Sequence, residues 1–590
     1  DRSPSRGLGD VYKRQIFDSM KAIKNIMIAL SGIALLASCD MDKFFELDRP
    51  ESNPWLSVDD LEYSVADPYN TLFQNPNWQA PIGIIPYYQE LVADLSTVNP
   101  QGAYEQEALY WYPRQMSTFD VTGQQFEKTF SILYRSVTGA TSPLTYIEEK
   151  EKKGEPVFAN MTENDKKTLA RQTGELYFMR GYTYWLISRA FVAPYDPAGG
   201  EGNNRKFIPL INRLDYSQES ARNPYMGTVK EVYDQMLSDF AKAKSLMPED
   251  YFVRGRANKF SAAMMLMRVK WLMGDKDGAL EEADYVITKA EAGVAPFDLT
   301  EEPIVAFNRN AEQQYTVDPV SKEVMFECAF TESNQGNNVA IPLARMCKTG
   351  IYNFKSKTFD ASNKLWLEGA RGSQNWQHGG WACAYWNPRL IKYIGWAVTD
   401  DPMDLTNYVP SAEALADKRF TQLHYFLKNY TDGGDKTIHE MAYNKTKWNA
   451  FWNDKYYRAP YGKYSQVPLI RLAEAYLTRA TLVLSKNASQ ALGDVNKIRQ
   501  RAGLTPLKNV TEADIEKERI KEFGFENGDR LLYLVAMQKT IDGQKRNPGA
   551  VYDNPNTDGD PIPAMNPPYS TMYVPLPSIE YLYSGSYQQP

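Results

Sequence analysis

Apolar residues recur at three-to-four spacing in three well-separated stretches of the chain. In KFSAAMMLMRVKWLMGDKDGALEEADYVITKA, residues 259–290, the positions Ala262, Met265, Leu266, Val269, Leu272 and Met273 share one face of a helix with 3.6 residues per turn. Gly274-Asp275 interrupts the stripe, and Ala279, Leu280, Ala283, Val286 and Ile287 resume it, which predicts a second helix folded back on the first. PLIRLAEAYLTRATLVLSKNASQALGDVNKIRQRAG, residues 468–503, repeats the design: Leu469, Leu472, Tyr476, Leu477, Ala480 and Val483 form one stripe, and Ala491, Val495 and Ile498 the next. A third pair, divided by a long insertion, is GELYFMRGYTYWLISRAF (174–191) and TVKEVYDQMLSDFAKAKSLMP (228–248). Trp185 and Trp271 fall inside these stripes and are expected in the core.

Each pair resembles a tetratricopeptide hairpin, which buries its stripe only by stacking on a neighbour. A broken helical array follows, with loop-rich insertions from about 292 to 465, where helical periodicity fades and Gly, Asn, Trp and Tyr accumulate. Within that region RGSQNWQHGGWACAYWN, Arg371 to Asn387, sets Trp376, Trp381 and Trp386 at intervals of five. Five residues advance about 140° around a helix, and Gly379-Gly380 would break one, so the stretch reads as a loop. Its indoles either fold inward as a satellite core or present flat apolar faces ringed by amide donors and acceptors. Trp448 and Trp452, four apart in KWNAFWND, are open between the same two roles.

Composition narrows the classes. The 590 residues are 43% hydrophobic and 24% charged, a globular balance. A net charge of -7 and a pI near 5.5, with no Lys/Arg block, argue against a nucleic-acid partner. His378, His424 and His439 share no metal-ligand spacing, and no metal or other cofactor is expected. NPNTDGD, from Asn554, imitates the start of a calcium loop, but the twelfth position is Met565 where a bidentate carboxylate belongs.

The N-terminal part carries the strongest local signal. After Met20, Lys21 and Lys24 precede an apolar run from Ile26 to Leu36, shorter than the roughly 20 residues that span a bilayer. The run ends in Leu36-Ala37-Ser38-Cys39, which resembles a bacterial lipobox and predicts lipidation at Cys39. Residues 20–38 are then a lipoprotein signal peptide, and residues 1–19 read as an upstream extension outside the fold. Cys328, Cys347 and Cys383 remain, an odd number with no CxxC spacing, so a disulfide framework is not indicated.

GELYFMRGYTYWL (174–186), RLAEAYLTRA (471–480), VNKIRQRAGL (495–504), ERIKEFGFENGDR (518–530) and VPLPSIE (574–580) occur in the order of the signatures of the SusD/RagB family, which they resemble. LLYLVAMQ after Arg530 departs from the family's usual aromatic-Asp-Leu arrangement. The resemblance covers nearly the whole chain after Cys39. It implies a mainly α fold of four tetratricopeptide-like hairpins around a large irregular ligand-binding region, with an N-terminal helical part at 39–290 and a C-terminal part at 291–590.

The resemblance also implies a surface-exposed lipoprotein of the outer membrane that captures glycans and passes them to a SusC-like TonB-dependent transporter. Asp40 and Asp42 resemble the family's acidic surface-export signal. Ligand contacts are expected from an early loop region carrying Trp78, Tyr104, Trp111 and Tyr112, and from the irregular region carrying Arg371, Gln374, Asn375, Trp376, Trp381 and Trp386. An indole covers the C–H face of a pyranose while Asn, Gln and Arg bond its hydroxyl rim. Peptide capture is the alternative within the family. A glycoside hydrolase needs two carboxyl groups about 5–10 Å apart across a sugar, and no acidic pair here sits in a recognisable motif, so no enzymatic role is expected.

Overall fold

A computed structural model describes residues 55–73, 80–98, 124–215, 217–307, 321–329, 384–398, 409–427, 431–432, 436–437, 450–456, 466–543 and 562–577. The chain divides into two compact units, Asp1–Asp60 and Leu61–Pro590, and the elements below belong to the second except where α1 begins. The helices are α1 (Val58–Phe73), α2 (Pro81–Val92), α3 (Gln124–Lys153), α4 (Glu163–Phe191), α5 (Gln218–Arg222), α6 (Val229–Leu246), α7 (Lys259–Leu272), α8 (Lys276–Glu291), α9 (Pro388–Tyr393), α10 (Ala412–Ala416), α11 (Lys418–Leu423), α12 (Leu472–Val483), α13 (Ala488–Arg501), α14 (Glu512–Phe523) and α15 (Asp529–Ala536). Short strands accompany them: β1 (Ser96–Val98), β2 (Lys206–Pro209), β3 (Met226–Thr228), β4 (Val324–Ala329), β5 (Ala384–Trp386), β6 (His424–Leu427), β7 (Thr431–Asp432), β8 (Lys436–Thr437), β9 (Ala450–Asn453) and β10 (Gln466–Arg471). The fold is mainly α, as the periodicity predicts.

Helix pairing follows the apolar stripes. Each helix of the series α3, α4, α6, α7, α8, α12, α13 packs on the one before it, so α8 meets α12 across the long irregular insertion. Local chemistry fixes the ends. Asn258 caps α7 by accepting from Phe260 N at 3.1 Å and Ser261 N at 2.9 Å, while its Nδ2 donates to Met325 O at 2.8 Å and ties the helix to β4. Gly274, at φ +83°, turns the chain between α7 and α8, and Asp275 caps α8 through Gly278 N at 2.9 Å. Thr162 with Asp165, Thr228 with Glu231 and Thr511 with Asp514 form capping boxes at the starts of α4, α6 and α14.

The second half of α4, Gln172 to Phe191, is buried on every side, because α2, α3 and α6 cover it. Trp185 and Trp271 are core residues, as expected. One boundary differs from the sequence reading: Leu469 belongs to β10 and not to the helical stripe that continues from Leu472. β10 pairs antiparallel with β4, whose backbone satisfies its amides before the chain turns into α12. Leu472 and Leu266 are 1% and 4% exposed, so Leu472→Ala and Leu266→Ala are each expected to lower unfolding free energy by about 2–5 kcal/mol in urea denaturation. An unchanged midpoint for both would mean that the stripes are not packed.

Candidate functional site

Of the residues expected to meet ligand, Trp78, Tyr104, Trp111, Arg371, Gln374, Asn375, Trp376 and Trp381 lie outside the described residues, as do Tyr112 and the lipidation candidate Cys39. Trp386 is described, and it corrects the sequence reading: it is wholly buried. The cause is a socket of rings, with Trp396 at 5.8 Å between centroids, His424 at 5.2 Å, Phe451 at 5.9 Å and Phe525 at 5.3 Å. Its neighbour Tyr385 meets Trp452 at 5.6 Å, and Trp452 is itself buried. Of the two roles left open for Trp452, packing is the one observed. Trp396, which the sequence pattern does not single out, anchors the nest by donating Nε1–H to Asp417 at 3.3 Å.

What the structure supplies is the foundation of the aromatic-rich segments. β1 and β5 pair antiparallel, with Ser96 opposite Trp386, Thr97 opposite Tyr385 and Val98 opposite Ala384. The chain segment from residue 99, which carries Tyr104, Trp111 and Tyr112, therefore departs beside the point at which the segment carrying Arg371 to Trp381 arrives. Asn387 reinforces this junction: its N–H donates to Leu95 O at 2.8 Å and its Nδ2 to Asp94 O at 2.7 Å. β4 and β10 pair likewise, with Ala329 opposite Gln466, and β6 and β9 pair with Leu427 opposite Ala450. Each ladder staples the roots of an insertion to the helical body.

Beneath the ladders lies a buried ionic network centred on ERIKEFGFENGDR. Arg471, at the end of β10, donates from Nη1 to Glu522 at 2.9 Å, from Nε to Glu526 at 2.9 Å, and also to Glu323 just before β4. Arg501 bonds Glu323 at 2.8 Å and also Glu522. Lys455, after β9, reaches Glu526 at 2.6 Å and the Glu522 carbonyl at 2.7 Å. Arg419 of α11 spans Asp417 at 2.8 Å and Glu518 at 2.7 Å, and Arg499 also bonds Glu518. Arg530 grips Asp94, just before β1, through both carboxylate oxygens at 2.6 Å, and bonds Glu516 at 2.7 Å. All three ladders are thus tied to α14 and α15. The family-like signature looks in sequence like a charged helix, yet its Glu518, Arg519, Glu522 and Glu526 are buried.

Charge compensation governs the ionisation of these groups. Burial alone would raise the Glu518 carboxyl, but Arg419, Lys521 and Arg499 outweigh it and hold the group down to about 2. Glu522 is lowered in the same way, against burial, by Arg501, Arg471, Arg419 and Lys455. Glu90 of α2 goes the other way: burial, and then the Asp529 carboxylate, push it well above the ordinary range. Both lowered carboxylates are bonded within the protein core, an arrangement suited to fixing geometry and not to proton transfer with a substrate.

Among the described residues no cluster of His, Cys, Asp and Glu is arranged to hold a metal ion, and no helix is long and apolar enough to cross a membrane. His424 packs within the aromatic nest, its Nδ1 at 2.9 Å from Arg419 O. Cys328 on β4 is a buried free thiol.

Comparison with known proteins agrees with this architecture. A family model described as starch-binding, associating with the outer membrane, matches residues 76–270, and the SusD family model matches residues 322–580. SusD-like protein P2 of Formosa agariphila is 25% identical over 373 residues, 61% of this chain and 62% of that protein, so the match spans less than two thirds of the relative. A SusD superfamily protein of Bacteroides thetaiotaomicron superposes with a TM-score of 0.63 at 18% identity, over 90% of this chain and 99% of its own. Surface glycan-binding protein A of Bacteroides uniformis does so with a TM-score of 0.59 at 16% identity, over 90% and 99%. At such identities the two structures speak to the fold. Two family models in succession, a relative aligned through most of the chain and this shared fold make the protein a member of the SusD/RagB family.

Proposed function

We propose that the protein captures oligosaccharides at the outer surface of the outer membrane and hands them, uncleaved, to a SusC-like TonB-dependent transporter, held to the membrane by lipid on Cys39. The observation that carries the binding reading is the β1–β5 ladder. By setting Val98 opposite Ala384, it joins the roots of the two chain segments richest in Trp, Tyr and side-chain amides. Indole faces and amide rims on segments whose roots are paired suit a ligand with C–H faces and hydroxyl edges. The match to a starch-binding, outer-membrane-associated family and the fold shared with a surface glycan-binding protein favour the same ligand class. Modest affinity suits such a protein, since release to a transporter must stay fast.

The test is a screen of oligosaccharides, including maltoheptaose and laminarihexaose, followed by calorimetric titration of Trp376→Ala and Trp381→Ala. Each is expected to weaken binding by about 1–3 kcal/mol while leaving the melting temperature nearly unchanged. Retained affinity in both variants would remove these indoles from the site. Binding of peptides with no response to any sugar would turn the reading toward peptide uptake.

A further inference from the structure

We propose that Gly524 and Trp386 act as positioning residues for the glycan site, setting where β5 and its partner β1 sit without touching ligand. This rests on the glycan-binding reading. Gly524 follows α14 with φ -54°, a backbone conformation open to any residue, so its backbone does not demand glycine. Space does. A Cβ at this position would lie 2.2 Å from Cη2 and 2.6 Å from Cζ2 of Trp386, with Ile520 O at 2.9 Å. The indole occupies the volume in which any other side chain would begin.

Three further contacts extend the consequence of that fit. Trp386 is the last residue of β5 and lies opposite Ser96 of β1, so a displaced indole carries the ladder with it. Asn387, next in the chain, holds Asp94 O, and the Asp94 carboxylate is gripped from both oxygens by Arg530 of α15. The α14–α15 corner therefore holds β5 by shape, through Gly524, and β1 by charge, through Arg530. Both roots of the proposed site are referenced to one rigid corner. A methyl group on Gly524 would force the indole outward by about 1.5 Å to reach ordinary carbon contact near 3.5–4.0 Å, a misplacement that preorganised sites tolerate poorly.

The experiment titrates wild type, Gly524→Ala, Trp386→Phe and the double variant Gly524→Ala/Trp386→Phe with maltoheptaose, laminarihexaose and xylan, mannan and pectin oligosaccharides, alongside thermal melts. Leu477→Ala, a fully buried change in α12, serves as a comparison for lost stability alone. Gly524→Ala is expected to weaken binding about tenfold. The smaller phenyl ring should restore most of it in the double variant, and Leu477→Ala should lower the melting temperature without changing affinity. Equal affinity in folded Gly524→Ala and wild type would overturn the inference and leave glycan binding intact. So would a loss that Trp386→Phe does not repair and that Leu477→Ala reproduces. Should Gly524→Ala not fold, Trp386→Phe alone is expected to weaken binding severalfold, and unchanged affinity there overturns the inference. A wild type that binds none of these sugars overturns the glycan reading and this inference together.

Discussion

Arg471→Met is expected to cost about 3–5 kcal/mol of unfolding free energy at neutral pH, the size of loss seen when one partner of a buried ion pair is removed. Methionine keeps much of the apolar stem, so the loss isolates the charge. It would leave Glu323, Glu522 and Glu526 with Arg501, Lys455 and, at 3.7 Å from Glu522, Arg419 as their remaining cations. The pH dependence gives the prediction its sign. In the wild type Glu518, at about 2, and Glu522 lie below the ordinary glutamate value of 4.5, so their stabilisation is present above 4.5 and is lost as pH falls toward 2. Removing Arg471 withdraws one of the cations that lower Glu522, and its carboxyl then protonates at higher pH. The deficit of the variant should therefore shrink between pH 7 and pH 4 in urea titrations. An equal deficit at both values would assign the loss to packing, and a deficit below about 1 kcal/mol would show that the network contributes little to stability.

Trp386→Ala is expected to cost about 3–5 kcal/mol, as removal of a large buried aromatic does. The indole is fully buried against Trp396, His424, Phe451 and Phe525, and its removal leaves a cavity lined by these rings. Calorimetric melts of Trp386→Ala beside Trp376→Ala and Trp381→Ala should separate the three tryptophans, with the first strongly destabilised and the others near wild type. A Trp386→Ala protein that melts like wild type yet fails to bind sugar would return this indole to the ligand.

The SusD/RagB signatures have a physical rationale that their sequence hides. ERIKEFGFENGDR shows four acidic residues among basic neighbours, a pattern that ordinarily marks a solvated helix face. Here those charges meet partners from β10, α11 and α13, from just after β9 and from the approach to β1, while Glu323 before β4 joins them through Arg471 and Arg501. Replacing a buried ion pair with apolar residues often leaves stability unchanged or raises it, so stability alone does not account for such a network. Its directional, bidentate bonds orient strands too short to orient themselves, which fits a fold that must hold long insertions at defined roots.

The sequence by itself determined the helical pairs of α4 with α6, α7 with α8 and α12 with α13, because a stripe at 3.6-residue spacing can be buried only one way and Gly274-Asp275 can only turn. It also determined the burial of Trp185 and Trp271, which ride on those stripes, and the family, through signatures in order. Only the tertiary structure decided the fate of Trp386. Five-residue spacing says that three indoles do not share a helix face, but which of them is covered depends on β1, some 290 residues earlier, and on the space left at Gly524, well over a hundred residues later. The ionic network was equally hidden, since a charge reads as solvated until its partners, distant in sequence, are brought within bonding distance. Local periodicity is written in consecutive residues, whereas strand pairing, ring sockets and buried charge compensation are properties of residues that meet only when the chain is folded.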